Sequence, residues 1–80
     1  MTDLVVKPDL WVTRMLPEGI VEKWLVADGA KVASEEPVVD VRIENQLRRL
    51  KSPGPGRLTI YARPNSIVEP GTVIGRVDAA

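Results

Sequence analysis

The chain has 80 residues, 44% of them apolar and 28% charged, and its 11 Lys plus Arg balance its 11 Asp plus Glu. This is the composition of one small globular domain, and its neutrality excludes a global electrostatic pull toward nucleic acid or an anionic membrane. Cysteine and histidine are both absent, which excludes disulfide staples, thiolate zinc sites, a thiol nucleophile and the usual general base. A chain this short buries only about 60% of its unfolded surface, so carrier, binding and structural roles fit it better than a complete enzyme. No apolar run approaches the roughly 18–20 residues of a membrane helix. The start, Met1-Thr2-Asp3-Leu4, shows no basic segment followed by an apolar one, so no signal peptide is legible and a cytoplasmic protein is the simplest expectation. A single domain over residues 1–80 is expected, with residues 1–4 loose.

Taken in chain order, the first distinctive residue is Trp11, within Pro8-Asp9-Leu10-Trp11-Val12. It either caps the core or stands exposed as a partner contact. Residues 19–26 are β-branched and aromatic and stop at Asp28 and Gly29, a tight-turn pair. Residues 38–43 alternate, with Val39, Val41 and Ile43 on one face and Asp40, Arg42 and Glu44 on the other. That period of two predicts a half-buried strand. Residues 46–50 read as its return, with Glu44 and Asn45 at the tip of a hairpin. In that register Ile43 opposes Gln46, Val41 opposes Arg48 and Val39 opposes Leu50. Ser52-Pro53-Gly54-Pro55-Gly56 must be a turn or loop. Residues 57–62 and 72–77 are strand-like, separated by turns at Arg63-Pro64-Asn65-Ser66 and Glu69-Pro70-Gly71. No apolar stripe holds helical spacing for three turns, so no helix is predicted.

The chain repeats itself. Aligning Gly19 with Gly56 brings Val21 onto Leu58, Trp24 onto Tyr61 and Asp28 onto Asn65. After a one-residue gap, Val32 meets Val68, Val38 meets Ile74 and Val41 meets Val77. The predicted fold is all-β: two antiparallel sheets forming a flattened barrel or sandwich, related by an internal pseudo-two-fold axis.

Four segments, in order and at matching spacing, carry a family resemblance. They are EGIVEKWLVADGAKV at residues 18–32, PVVDV at residues 37–41, Ser52-Pro53 followed by Gly56, and VEPGTVI at residues 68–74. They look like the EGxVxxWLVxxGDxV opening, the PLxEV strand, the (S/A)PxxG turn and the VxxGxxL ending of the biotinyl/lipoyl carrier domain. The chain resembles that family over nearly its whole length. The resemblance implies a flattened barrel with two-fold internal symmetry. It also implies a lysine at the hairpin tip, to which a ligase joins lipoate or biotin through an amide.

Here the tip departs from the pattern. The lipoyl version of the motif reads Asp-Lys-Ala and the biotin version Met-Lys-Met, whereas Ile43-Glu44-Asn45-Gln46 places Asn45 at the lysine position. A carboxamide nitrogen is not a nucleophile, so neither lipoate nor biotin is expected on this protein. Lys51 lies on the returning strand about 20 Å from the tip if extended. It reads as solvated surface charge, as do Lys7, Lys23 and Lys31. An arginine, Arg48, falls on the inward face, where it must snorkel out or find a partner. Glu35 stands where the family has a glycine, while Gly71 keeps it in the second half. Several changes around one lost lysine argue for natural divergence rather than a single replacement.

The other constellations are weaker. Arg48, Arg49, Lys51 and Arg57, with Arg42, form a basic segment, either a docking face for an acidic partner or a solvated strand face. It lacks the interleaved aromatics of single-strand nucleic-acid binding. Trp24 and Tyr61, at matching repeat positions, predict paired packing. Glu35, Glu36, Asp40 and Glu44 lack a calcium-loop pattern, and no metal is expected. Ser34, Ser52 and Ser66 have no histidine to activate them.

The expected function is therefore that of a non-catalytic carrier-type domain acting as an interaction or assembly module. The resemblance points to partners in 2-oxo acid or acetoin dehydrogenase complexes or in biotin-dependent carboxylases. The implied partner surface comprises Glu44, Asn45 and Gln46 with the turn of Asp28 and Gly29. The domain is expected to be a monomer or weak dimer. Two alternatives stay open: a working acyl or carboxyl carrier, lysine-replaced or modified elsewhere, and a barrel excised from a larger protein such as an efflux adaptor.

Overall fold

A computed structural model describes residues 2–12 and 18–79. It is built from eight strands: β1 (Thr2–Val5), β2 (Gly19–Trp24), β3 (Lys31–Val32), β4 (Pro37–Ile43), β5 (Gln46–Lys51), β6 (Gly56–Ile60), β7 (Ile67–Val68) and β8 (Val73–Asp78). The only helical element among the described residues is one 3-10 turn, Pro8–Leu10, begun by a proline that presets its dihedral. No helix of the described residues is long and apolar enough to cross a membrane. The strands form two four-stranded antiparallel sheets, ordered β1-β8-β6-β3 and β5-β4-β2-β7. The all-β prediction of two packed sheets holds.

The pseudo-two-fold is visible in the pairing. β3 meets β6 through Lys31 opposite Arg57 and Val32 opposite Gly56. β7 meets β2 through the equivalent partners, Ile67 opposite Ile20 and Val68 opposite Gly19. The hydrogen bonds repeat as well. The Gly29 N–H donates to the Leu58 carbonyl at 2.7 Å, and the Asn65 N–H donates to the Val21 carbonyl at 2.7 Å. Gly71 N–H to Val6 O (2.7 Å) is matched by Glu35 N–H to Ser52 O (3.0 Å). The predicted pairs Val21/Leu58, Val32/Val68, Val38/Ile74 and Val41/Val77 are all buried and line one core.

Four expectations need correction. The gap in the repeat falls earlier than sequence alignment places it. Gly29, not Asp28, is the counterpart of Asn65: both have positive φ, 84° and 72°, and both donate to equivalent carbonyls. Second, Thr2 to Leu4, expected to be loose, belong to β1, which pairs with β8, and Leu4 is buried. By symmetry β1 plays on its sheet the part β5 plays on the other. Third, Trp24 and Tyr61 are not equivalent in packing. Trp24 lies against the core and its Nε1–H donates to the Ala62 carbonyl at 2.8 Å, whereas Tyr61 is 51% exposed. Fourth, Asp40, assigned to the polar face of its strand, is only 1% exposed. Trp11 resolves to the capping role: it is buried in the core cluster.

Two glycines sit at equivalent close approaches. At Gly19 a Cβ would lie 3.0 Å from Ile43 Cγ1 and 3.2 Å from the Arg42 carbonyl. At Gly56, with φ of 147°, it would land on the Asp78 carbonyl. At Gly54 a Cβ would meet no atom of the described residues within 4 Å. Gly56→Ala is therefore expected to cost about 3 kcal/mol or more, enough to leave the domain largely unfolded, while Gly54→Ala stays within about 0.5 kcal/mol of the parent. Thermal unfolding followed by circular dichroism checks both.

Candidate functional site

The β4–β5 hairpin forms in the predicted register, with Ile43 opposite Gln46, Val41 opposite Arg48 and Val39 opposite Leu50. Its turn consists of Glu44 (φ 53°) and Asn45 (φ 63°). Two successive left-handed residues make the type I′ turn, whose twist matches that of the flanking strands. Asparagine tolerates this region because its short polar side chain can bond locally; glutamate is less at ease there. Glu44 is held from outside: its Oε1 accepts the Val12 N–H at 3.0 Å. The connection between β1 and β2 is thereby tied to the hairpin tip. Asn45 and Gln46 are exposed.

The second part of the implied surface lies elsewhere. β2 starts beside the tip, with Gly19 opposite Ile43, and runs away from it to Trp24. Asp28 and Gly29 follow the distal end of β2 and bond to the other sheet. Asp28 Oδ1 accepts the Ile60 N–H at 2.9 Å, and the Gly29 carbonyl accepts from Arg57 Nη1 at 3.3 Å. The structure does not join these residues to Glu44, Asn45 and Gln46 in one surface. The symmetry-related turn containing Asn65 lies beside β2 at Val21.

Among the basic residues, Arg42 pairs with Glu22 (Nε to Oε1, 2.9 Å) on the exposed face. Arg49 clamps the covered carboxylate of Asp40, Nε to Oδ1 at 3.0 Å and Nη2 to Oδ2 at 3.3 Å. The Arg49 hydrogen bond holds the Asp40 carboxyl below the ordinary range; desolvation opposes this and the charges of Arg49 and Lys23 assist it. Arg48, on the inward face, is half-buried and finds no partner for its Nε among the described residues. It keeps the predicted register at the cost of an unsatisfied donor.

Glu36 and Ser52 have structural duties. Glu36 Oε1 accepts the Ala33 N–H at 2.9 Å, as Thr72 Oγ1 accepts the Glu69 N–H at 2.9 Å in the other half. Ser52, buried, donates its hydroxyl to the Gly54 carbonyl at 2.6 Å. Among the described residues no three acidic side chains gather into a cation site. An open groove of about 680 Å³, not anticipated from sequence, lies between the edge strands β1 and β5, lined by Leu4, Leu10 and Leu50. Its signal was hidden with β1 itself.

The chain matches no protein-family model, and a search of curated proteins finds no match.

Two predictions follow from the charges. Because the folded-state pKa of Asp40 is depressed, its stabilisation is present above the unfolded value of about 4 and is lost as pH falls through the folded value. Asp40→Asn should lower the urea midpoint at pH 7, and the gap from the parent should close as the pH is taken below about 4. Arg48→Met keeps the apolar stem and removes the unsatisfied donor, so it should raise the unfolding free energy by about 1 kcal/mol in the same assay.

Proposed function

We propose that this chain is a lipoyl/biotinyl-like domain that carries no cofactor and serves as a non-catalytic interaction or assembly module. The observation that carries the reading is the hairpin tip. A two-residue turn projects from a two-sheet, pseudo-symmetric barrel at the position where the resembling family bears its lysine, and Asn45 occupies it, exposed. The reading is further supported by the four family-like segments, which fall on β2 to β3, on β4, on the turn before β6 and on β7 to β8. An amide nitrogen cannot attack an activated acyl group, so neither lipoate nor biotin is joined at this residue. The four lysines lie elsewhere: Lys7 just before the 3-10 turn, Lys23 on β2, Lys31 on β3 and Lys51 at the far end of β5.

The partners proposed are components of 2-oxo acid or acetoin dehydrogenase complexes, or of biotin-dependent carboxylases, meeting the domain at Glu44, Asn45 and Gln46. The tip is braced for contact, since the Glu44 carboxylate fixes it against the preceding connection. A working carrier is the competing reading, in which only the attachment residue differs.

Intact mass of the natural protein, beside Asn45→Lys co-expressed with lipoyl and biotin ligases, separates the two. The proposal expects the natural protein at its unmodified mass. A lipoyl or biotinyl increment on it would overturn the proposal. Full modification of Asn45→Lys would show a carrier scaffold that has lost only its acceptor; its absence, with the variant folded, would show that the ligase surface has gone as well.

A further inference from the structure

The outer face of the sheet that bears the hairpin carries an apolar stripe. Ile67 lies directly opposite Ile20, Ile20 opposite Arg42, and Arg42 opposite Leu47, so one row crosses β7, β2, β4 and β5. Ile67 is 65%, Leu47 50% and Ile20 42% exposed. With strands about 4.8 Å apart the row spans ~14 Å. Arg42 does not break it, because its guanidinium is drawn aside to Glu22 at 2.9 Å.

The fold supplies its own control. The pairing that equates the two sheets places Lys31 where the hairpin sheet has Ile67, Arg57 where it has Ile20, and Asp78 where it has Arg42. The sister sheet thus shows that these positions are satisfied by charged residues. Nothing in the barrel requires isoleucine there, and exposed aliphatic side chains in a row mark a contact surface.

Charge decides the kind of partner. Lys23, Arg42, Arg49 and Lys51 project from the strands of this sheet, and Asp40 is covered beneath Arg49, so the exposed carboxylate among them is Glu22. A second copy presenting the same face would set like charges together. Pairing of two β5 edges would likewise bring Arg48 and Arg49 against their own copies.

We infer that this face docks an acidic amphipathic segment of another protein. Its apolar side chains would lie on Ile67, Ile20 and Leu47, and its carboxylates would meet Lys23 and Lys51. This deepens the proposed reading of an interaction module by naming the partner's chemistry. A helix of three turns, about 16 Å long, covers the row.

The test is selection from a random library of displayed peptides of about 15 residues, ~22 Å if helical. The targets are the parent protein, Ile20→Arg/Ile67→Lys, and Asn45→Ala/Gln46→Ala. The first double variant copies the sister sheet, so it should fold and melt within about 2 °C of the parent. The expected result is enrichment of sequences rich in Asp or Glu with spaced apolar residues. They should bind the Ile20→Arg/Ile67→Lys protein at least about tenfold more weakly and weaken as salt rises, whereas the Asn45→Ala/Gln46→Ala protein reports any share the tip has in the same contact. Neutral or basic winners, or winners indifferent to the stripe variant, would overturn the assignment. Loss with the tip variant alone would favour the interaction-module reading while removing the stripe from it. No enrichment would count against both. Self-association of the parent in sedimentation, abolished in the stripe variant, would overturn it in favour of a second copy.

Discussion

Each half of this chain completes the other's sheet. The short strand of the first half, β3, pairs with β6, and the short strand of the second half, β7, pairs with β2. The turn before each short strand is closed by a backbone hydrogen bond to the opposite half, Gly29 to Leu58 and Asn65 to Val21. Neither half can satisfy its own backbone groups alone, and a buried unpaired N–H or carbonyl is costly. The exchange locks two four-stranded sheets around a thin core made mostly of valine. It also fixes the hairpin: Gly19 must be paired to both Ile43 and Val68 for the β4–β5 tip to stand where it does.

Symmetry makes departures from it informative. The two halves share backbone geometry down to the acceptors of their small turns, so a residue that differs in character between equivalent positions answers to something other than the fold. Glu35, at φ 64°, occupies the place where Gly71, at φ 88°, sits without strain. Ile20 and Ile67 replace Arg57 and Lys31 on an outer face. The inward-facing Arg48 finds no partner for its Nε among the described residues. All of these departures lie in or against the hairpin-bearing sheet or its flanking turn. Local inconsistency with a fold is where function is sought first.

The strands were legible where one face is buried and one is not. Residues 38–43 alternate because β4 packs its inner side on the core, and the β5 register followed because a two-residue turn leaves only one pairing. β1 was not legible: four residues with one buried side chain give no periodic signal, and its assignment depends on β8, which lies far along the chain. The gap in the repeat was misplaced because Asp28 resembles Asn65 as a side chain, whereas the constraint there is a positive φ that Gly29 supplies. The same cause separated Asp28 and Gly29 from the tip. Their neighbourhood is set by the direction in which β2 leaves Gly19, which composition does not encode. Ile20 and Ile67 carry no signal of their own in the sequence; the pairing of β2 with β7 sets them side by side on the outer face.

The residues of the tip answer to its backbone. Left-handed backbone costs an ordinary L-residue about 1–2 kcal/mol, and asparagine is among the few that take it easily. A lysine at position 45 would carry that cost in this turn, and it would be kept only where its amine is used. Asn45 is thus a residue this turn favours on backbone grounds alone. Glu44 bears the strain at the other corner, and its carboxylate recovers part of it through the Val12 amide. The hairpin is then a structural corner in its own right, held by the β4–β5 ladder and by the hydrogen bond that Glu44 accepts from Val12.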